Sequence, residues 1–412
     1  MSLSRQVACR GCAEASAHPA DRSDGTNGPP AAAETSAAPP LRSVHTTNFP
    51  ALLDQLGISL LVTTYQAGKL VVLRADQDHV NTHFRNLSKP MGLAVAGDRL
   101  AVGTLLEIWE FHNVPAVIPK LEPIGRHDAC YLPRSSHVTG DVQIHEMAWG
   151  GDELWFVNTR FSCLCTRSAI HNFVPRWWPP FVSALAPEDR CHLNGLGLRD
   201  GQVRYVTALA QSDQPAGWRA NKKDDGILMH VTTNAVLLRG LSMPHSPSWY
   251  AGRFWVLESG AGGVGFVDPH SGRYVGLAEL PGFTRGLDFC GPLAFIGLSQ
   301  VRESAVFSGI PITERLAEHE RTCGVCAIDL TSGQVVALLR FETAVQEVFA
   351  VTVLPGRRYP DLINDDDKLL ENSFVVPDAA LADVPAALRA PAEPTLGAAG
   401  SAGNGSAPRG RS

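Results

Sequence analysis

The sequence predicts an all-β fold: a six-bladed β-propeller closed by N-terminal strands on its last blade. Three observations carry that expectation. Short β-branched and aromatic runs are cut by Gly, Asp, Asn and Pro through most of the chain. A strand–turn–strand unit recurs at intervals of about 40–60 residues, the spacing of propeller blades. The last unit lacks outer strands, and an unattached strand pair stands near the N-terminus.

The units can be taken in order. Residues 91–98 precede 99–104, 145–152 precede 153–159, and 194–201 precede 202–208. Residues 245–252 precede 253–258, 285–291 precede 292–297, and 347–354 open a sixth unit. Outer pairs with an Asp-bearing turn follow the fourth unit (264–280) and the fifth (325–340). The sixth is expected to end on a second strand at 373–377, with its outer pair supplied by 58–65 and 69–74. Such closure removes open sheet edges. Residues 48–57 read as one short helix stopped by Gly57. Residues 1–45 and 379–412 are rich in Ala, Pro, Gly and Ser and are expected to be disordered tails around a single domain at 46–378.

Composition narrows function. The chain has 412 residues, 44% hydrophobic and 18% charged, with a formal net charge of −6, enough for a large core and without a basic field. Nucleic acid and anionic membrane surfaces are therefore not expected partners. No apolar run approaches the ~18 residues of a membrane span. The N-terminus lacks the apolar stretch of a secretory signal. Nine cysteines at irregular spacing do not form a disulfide framework, so reduced thiols and a cytoplasmic setting are expected. The two C-x-x-C pairs, Cys9/Cys12 and Cys323/Cys326, read as structural or incidental.

In a propeller the innermost strands converge on a channel. Their first residues form the column Met91, His145, Asn194, His245, Arg285 and Glu347. Two residues earlier stand Lys89, Gln143, His192, Met243, Phe283 and Val345. If the strands are regular, Glu146, Gly195 and Ser246 point away. The same divergence argues against Cys191–His192 and His245–Ser246 as nucleophile–base pairs. No G-x-S-x-G motif, P-loop or dinucleotide fingerprint is present in a suitable context.

So polar a ring invites two readings. In the first, His145, Asn194, His245 and Arg302 bind a ligand, while His192, Arg285 and Glu347 are catalytic. His145, His245 and Glu347 would hold one divalent metal ion, Zn²⁺, Fe²⁺ or Mn²⁺, in a hydrolase or lyase acting on a small polar or anionic substrate. In the second, the channel is structural, with an Arg285–Glu347 ion pair, and the rim docks a protein or peptide. The rim residues would come from the aromatic–basic segments 160–181 and 218–225. The excursion at 303–321 reads as a cap over one end.

Several long stretches carry a resemblance: Arg160-Phe-Ser-Cys-Leu164, Pro179-Pro-Phe-Val-Ser183, Ala186-Pro-Glu-Asp-Arg-Cys-His-Leu-Asn-Gly195, Gly240-Leu-Ser-Met-Pro-His-Ser-Pro247 and Val301-Arg-Glu303. They resemble a family of uncharacterised bacterial proteins, a domain of unknown function sometimes associated with tetratricopeptide repeats. The likeness covers roughly 46 to 378. It implies that the His192, Asn194 and His245 segments are family hallmarks, and it implies no activity. At fold level the layout is similar to six-bladed gluconolactonase-like propellers. Those hold a channel metal through Glu, Asn and Asp, where this chain has two histidines, so the comparison is one of fold alone.

Overall fold

A computed structural model describes residues 41–268, 270–301, 308–342 and 344–385. Six sheets form six blades, numbered here by their innermost strands: Leu93–Ala96, Ile144–Gly150, Leu193–Arg199, Pro244–Tyr250, Phe283–Cys290 and Ala350–Pro355. These strands contact their neighbours all the way round, so the ring is closed.

Apolar clusters fill every gap between blades. Ala101 and Ile108 of blade 1 pack with Leu154 and Phe156 of blade 2. Val157 and Leu164 then pack with Val206 and Ile227 of blade 3. Each strand beside an innermost one is thus buried on both faces and reads as an apolar run rather than an alternation. Ile58–Thr63 shows this most fully, with all six residues buried. Leu60 and Val62 belong to the cluster shared with blade 5, and Leu61 to the cluster shared with blade 1.

That burial corrects the expected closure. Ile58–Thr63 is not an outer strand: it pairs antiparallel with Ala350–Pro355, from Ile58 opposite Pro355 to Thr63 opposite Ala350. Lys69–Asp76 and His79–Asn86 complete blade 6 outside it. The expected strand at 373–377 does not form. Phe374 is 81% exposed, and Ile58–Thr63, an apolar strand buried on both faces, already holds the second place. The short helix is Phe49–Leu56, with Gly57 closing it in the left-handed conformation at φ 65°. Phe49 and Leu53 bury its inner face against blades 5 and 6.

Regular structure also reaches beyond the expected body. Ser43–His45 adds a strand to the outer edge of blade 5, and Asp378–Leu381 forms one helical turn. Pro360–Leu362 lies parallel to the outer strand Ala129–Val138 of blade 1. Blades 5 and 1 flank blade 6, so these additions brace the seam where the chain ends meet. A buried hub ties one of them down. The Asp361 carboxylate meets His83 Nε2 of blade 6 at 2.7 Å, His127 Nε2 at 3.4 Å and Arg85 Nη2 at 3.5 Å.

Two local devices shape the channel. Four blades are led in by a non-glycine residue of positive φ: Lys89 (46°), Gln143 (55°), His192 (51°) and Met243 (46°). Each such conformation costs about 1 kcal/mol, so four at equivalent places mark a built feature. Bulges then interrupt the innermost strands, at His145–Glu146, at Asn194, at Ser246–Pro247 and at Gly286. Hydroxyls at the ends of the next strands bridge to the following blade. Thr63 Oγ1 donates to Met91 O (2.6 Å), Thr159 Oγ1 to Leu193 O (2.6 Å) and Ser299 Oγ to Val348 O (3.0 Å).

Thr63 Oγ1 also accepts the Ala350 N–H at 3.0 Å, so it joins the closing ladder to blade 1. Thr63→Val keeps the shape and strands two buried backbone groups. Its guanidinium unfolding midpoint should fall by the equivalent of about 2 kcal/mol with an unchanged slope.

Candidate functional site

A cavity of about 260 Å³ opens at the channel mouth. It brings together His145, His192, His245, Arg285 and Glu347 from five blades, walled by Tyr65, Trp218, Phe283 and Phe349. Five of the expected site residues therefore meet. Asn194 does not line the cavity: its Oδ1 accepts from Thr207 Oγ1 at 2.7 Å, inside its own blade. His192, from the left-handed lead-in, takes its place in blade 3. Arg302 lies outside the described residues.

The left-handed lead-ins set the histidine tautomers. The Gln143 carbonyl lies 3.1 Å from His145 Nδ1, and the Met243 carbonyl 3.0 Å from His245 Nδ1. A carbonyl only accepts, so Nδ1 carries the proton in both rings. Thr159 Oγ1 (2.8 Å) and Ser259 Oγ (2.9 Å) sit beside the same nitrogens, one strand over. Each Nε2 keeps its lone pair and has no hydrogen-bond partner among the described residues. The two rings stack with centroids 6.3 Å apart. Burial first, and then the Arg285 charge, hold both imidazoles well below the usual histidine range, so they are neutral at pH 7.

His192 is arranged differently. Asp189 Oδ2 lies 2.9 Å from its Nδ1, and Trp218 Nε1 donates to the same oxygen at 2.8 Å. Asp189 and His192 both have positive φ, 49° and 51°, which folds a three-residue spacing into a carboxylate–imidazole pair. The His192 ring centroid stands 4.3 Å from Trp218 and 4.9 Å from His145. Asp189 was not anticipated from the sequence, although the Asp-x-x-His spacing was there to be read. Trp218 was expected at the rim for docking and is instead 2% exposed in the cavity wall. Ile310 and Ile312 of the 303–321 excursion share its apolar cluster with Met243 and Phe283, so the described part of that segment backs this wall.

Arg285 Nη1 donates to Glu347 Oε1 at 3.0 Å, and its guanidinium lies 3.5 Å over the Phe349 ring. Burial lowers its pKa and raises that of Glu347, each opposed by the other's charge. This pair explains why the expected metal triad is not assembled. Glu347 faces a guanidinium rather than the imidazoles. Among the described residues, no group of three His, Cys, Asp or Glu could hold a metal ion.

The bulges overturn the expectation that Glu146 and Ser246 point away from the channel. Both turn inward, below the histidines. Ser246 Oγ donates to Glu146 Oε1 at 2.6 Å and accepts from Gly286 N at 3.2 Å, while Leu196 N donates to Glu146 Oε2 at 2.7 Å. A bar linking blades 2, 3, 4 and 5 thus lies between the mouth and a second chamber. Burial pushes the Glu146 carboxyl up to about 7.

Comparison with known proteins follows the same layout. A model of a family described as a domain of unknown function (DUF4915) matches residues 47–363; its description mentions no tetratricopeptide repeats. No curated protein matches significantly. Among solved structures, a chain of a nidogen/laminin complex is 11% identical, with 73% of this chain and 99% of that one covered and a TM-score of 0.48. A protein of unknown function from Bacteroides caccae is 12% identical, with 72% and 98% covered and a TM-score of 0.43. Virginiamycin B lyase from Staphylococcus aureus, crystallised with quinupristin, is 11% identical, with 57% and 71% covered and a TM-score of 0.34. Likenesses this distant carry no argument about activity.

Glu146 yields a pH prediction with a definite sign. Its pKa is higher folded (about 7) than in a free chain (4.5), so the stability it adds is complete below 4.5 and gone above 7. Glu146→Gln mimics the protonated form. Its thermal midpoint should fall less than wild type's between pH 5 and pH 8, as read by calorimetry.

Proposed function

The chain belongs to the DUF4915 family, which carries no assigned activity, and we propose that its channel mouth is a small-molecule site for an anionic ligand that also bears hydroxyl or amine donors. One observation carries this reading. A buried guanidinium and three imidazoles, whose Nε2 atoms have no hydrogen-bond partner among the described residues, converge on one aromatic-walled cavity. Arg285 supplies donors for a carboxylate or phosphate. His145 and His245, locked as acceptors, call for donors on the ligand. Phe349, Tyr65 and Trp218 favour an apolar body between them.

The chemistry that fits is proton transfer, in a lyase or hydrolase. His192 is the base, because Asp189 fixes its tautomer and supports the positive charge it would gain. Glu347 keeps Arg285 in place and is the weaker candidate base, since its carboxylate is already engaged. The same pairing favours an anion over a metal ion. A cytoplasmic setting belongs to this reading. It is supported by the free cysteines among the described residues (Cys130, Cys163, Cys165, Cys191, Cys290, Cys323 and Cys326). No helix among the described residues is long and apolar enough to cross a membrane. Docking of a protein on the rim rests on Trp178 (42% exposed) and Ile170 (85%), which stand outside the cavity.

Titration of tryptophan fluorescence with hydroxy acids such as mandelate, against the matching neutral alcohols, tests binding. The acids should saturate and the alcohols should not. Arg285→Gln combined with Glu347→Gln, which removes both charges together, should weaken binding by about 2 kcal/mol. His192→Ala should bind nearly as tightly and lose roughly 10²-fold or more of the α-proton exchange into deuterated water. Equal binding of acids and alcohols would sink the proposal.

A further inference from the structure

The opposite end of the channel encloses a second cavity of about 270 Å³ that the mouth chemistry does not use. All six innermost strands contribute to it, and its walls are mostly aliphatic. Its ionisable lining groups are two carboxyls, Glu146 and Asp288; no Lys, Arg or His lines it among the described residues. Asp288 accepts from the backbone N–H groups of Val353 and Phe289, both at 2.8 Å, which fixes the carboxyl at the chamber wall. Ser246, Ser248 and Thr352 line the same space. Trp149 does too: it is 7% exposed, and its indole N–H has no hydrogen-bond partner among the described residues.

We infer that this chamber binds a small organic amine with a compact apolar body, its ammonium group taken by Asp288. A part-buried carboxyl with only neutral hydrogen-bond donors around it has no counterion. Asp288 stands so, and burial pushes it up to about 6. The charged groups nearby do not supply that counterion. Arg285 acts on Glu146 from the mouth side but is paired with Glu347. Arg99 and Arg167 stack on the Trp149 ring and pair with Asp152 (3.8 Å) and Glu110 (2.5 Å). The Cys290 thiol, which also feels Asp288, is raised and therefore neutral. An ammonium ion would supply that counterion to Asp288, and the aliphatic walls would cover the rest of the ligand.

Benzylamine is a suitable probe, with benzyl alcohol as its uncharged match, added to the full chain and followed by the indole ¹H–¹⁵N resonances. Trp149→Phe and Trp218→Phe variants assign the two signals. Saturable binding should shift the Trp149 signal and leave Trp218 in place. Affinity should rise from pH 5.5 to 8 as Asp288 ionises, and benzyl alcohol should bind at least about tenfold more weakly. Asp288→Asn should weaken benzylamine about tenfold or more. Leu198→Trp, which fills the chamber and leaves the carboxyls intact, should abolish binding while the thermal midpoint reports folding. Failure to saturate by about 10 mM, equal binding of the alcohol, indifference to both variants, or a shift of Trp218 instead of Trp149 would each overturn the inference.

Discussion

The ladder between Ile58–Thr63 and Ala350–Pro355 is the interaction on which the rest depends. It joins segments nearly three hundred positions apart, and without it blade 6 has an innermost strand and nothing behind it. Its residues are buried on both sides, so the same six positions seal the gaps toward blades 5 and 1. Bracing collects at this seam: the added strand Ser43–His45, the parallel strand Pro360–Leu362, the helix Phe49–Leu56 and the Asp361 hub. The cavity inherits that rigidity. Phe349 and Glu347 directly precede the closing strand, and Phe349 N donates to Thr63 O at 2.7 Å. Arg285 is therefore held from across the seam.

Charge along the channel follows from how few ions it contains. At the mouth, Arg285 and Arg219 meet the carboxylates Glu347 and Asp189, and two imidazoles are kept neutral by burial and by the Arg285 charge. Beyond the Glu146–Ser246 bar, the ionisable groups lining the chamber among the described residues are carboxyls. The two ends thus differ in the charged groups that line them, although the same six strands build both. What separates them is the bulge. It turns consecutive residues such as His145 and Glu146 into the channel at different depths, where a regular strand would send one of them away.

Blade number, closure by N-terminal strands and five residues of the channel mouth were legible in the sequence. Burial on two faces and repeated turns leave local signals, and those signals survive without knowledge of partners. His145, His192, His245, Arg285 and Glu347 were placed at one mouth because equivalent strand starts must converge in a closed ring. What each residue does there was decided by tertiary structure. Asn194 turned to Thr207, and Glu347 turned to Arg285 rather than toward the histidines. Asp189 reached His192 through two left-handed residues. Glu146 and Ser246 entered the channel through bulges whose register depends on the neighbouring strand. Periodicity reports the average direction of side chains along a strand. A positive φ, a bulge or a partner from another blade breaks that average, and each arises from contacts distant in sequence.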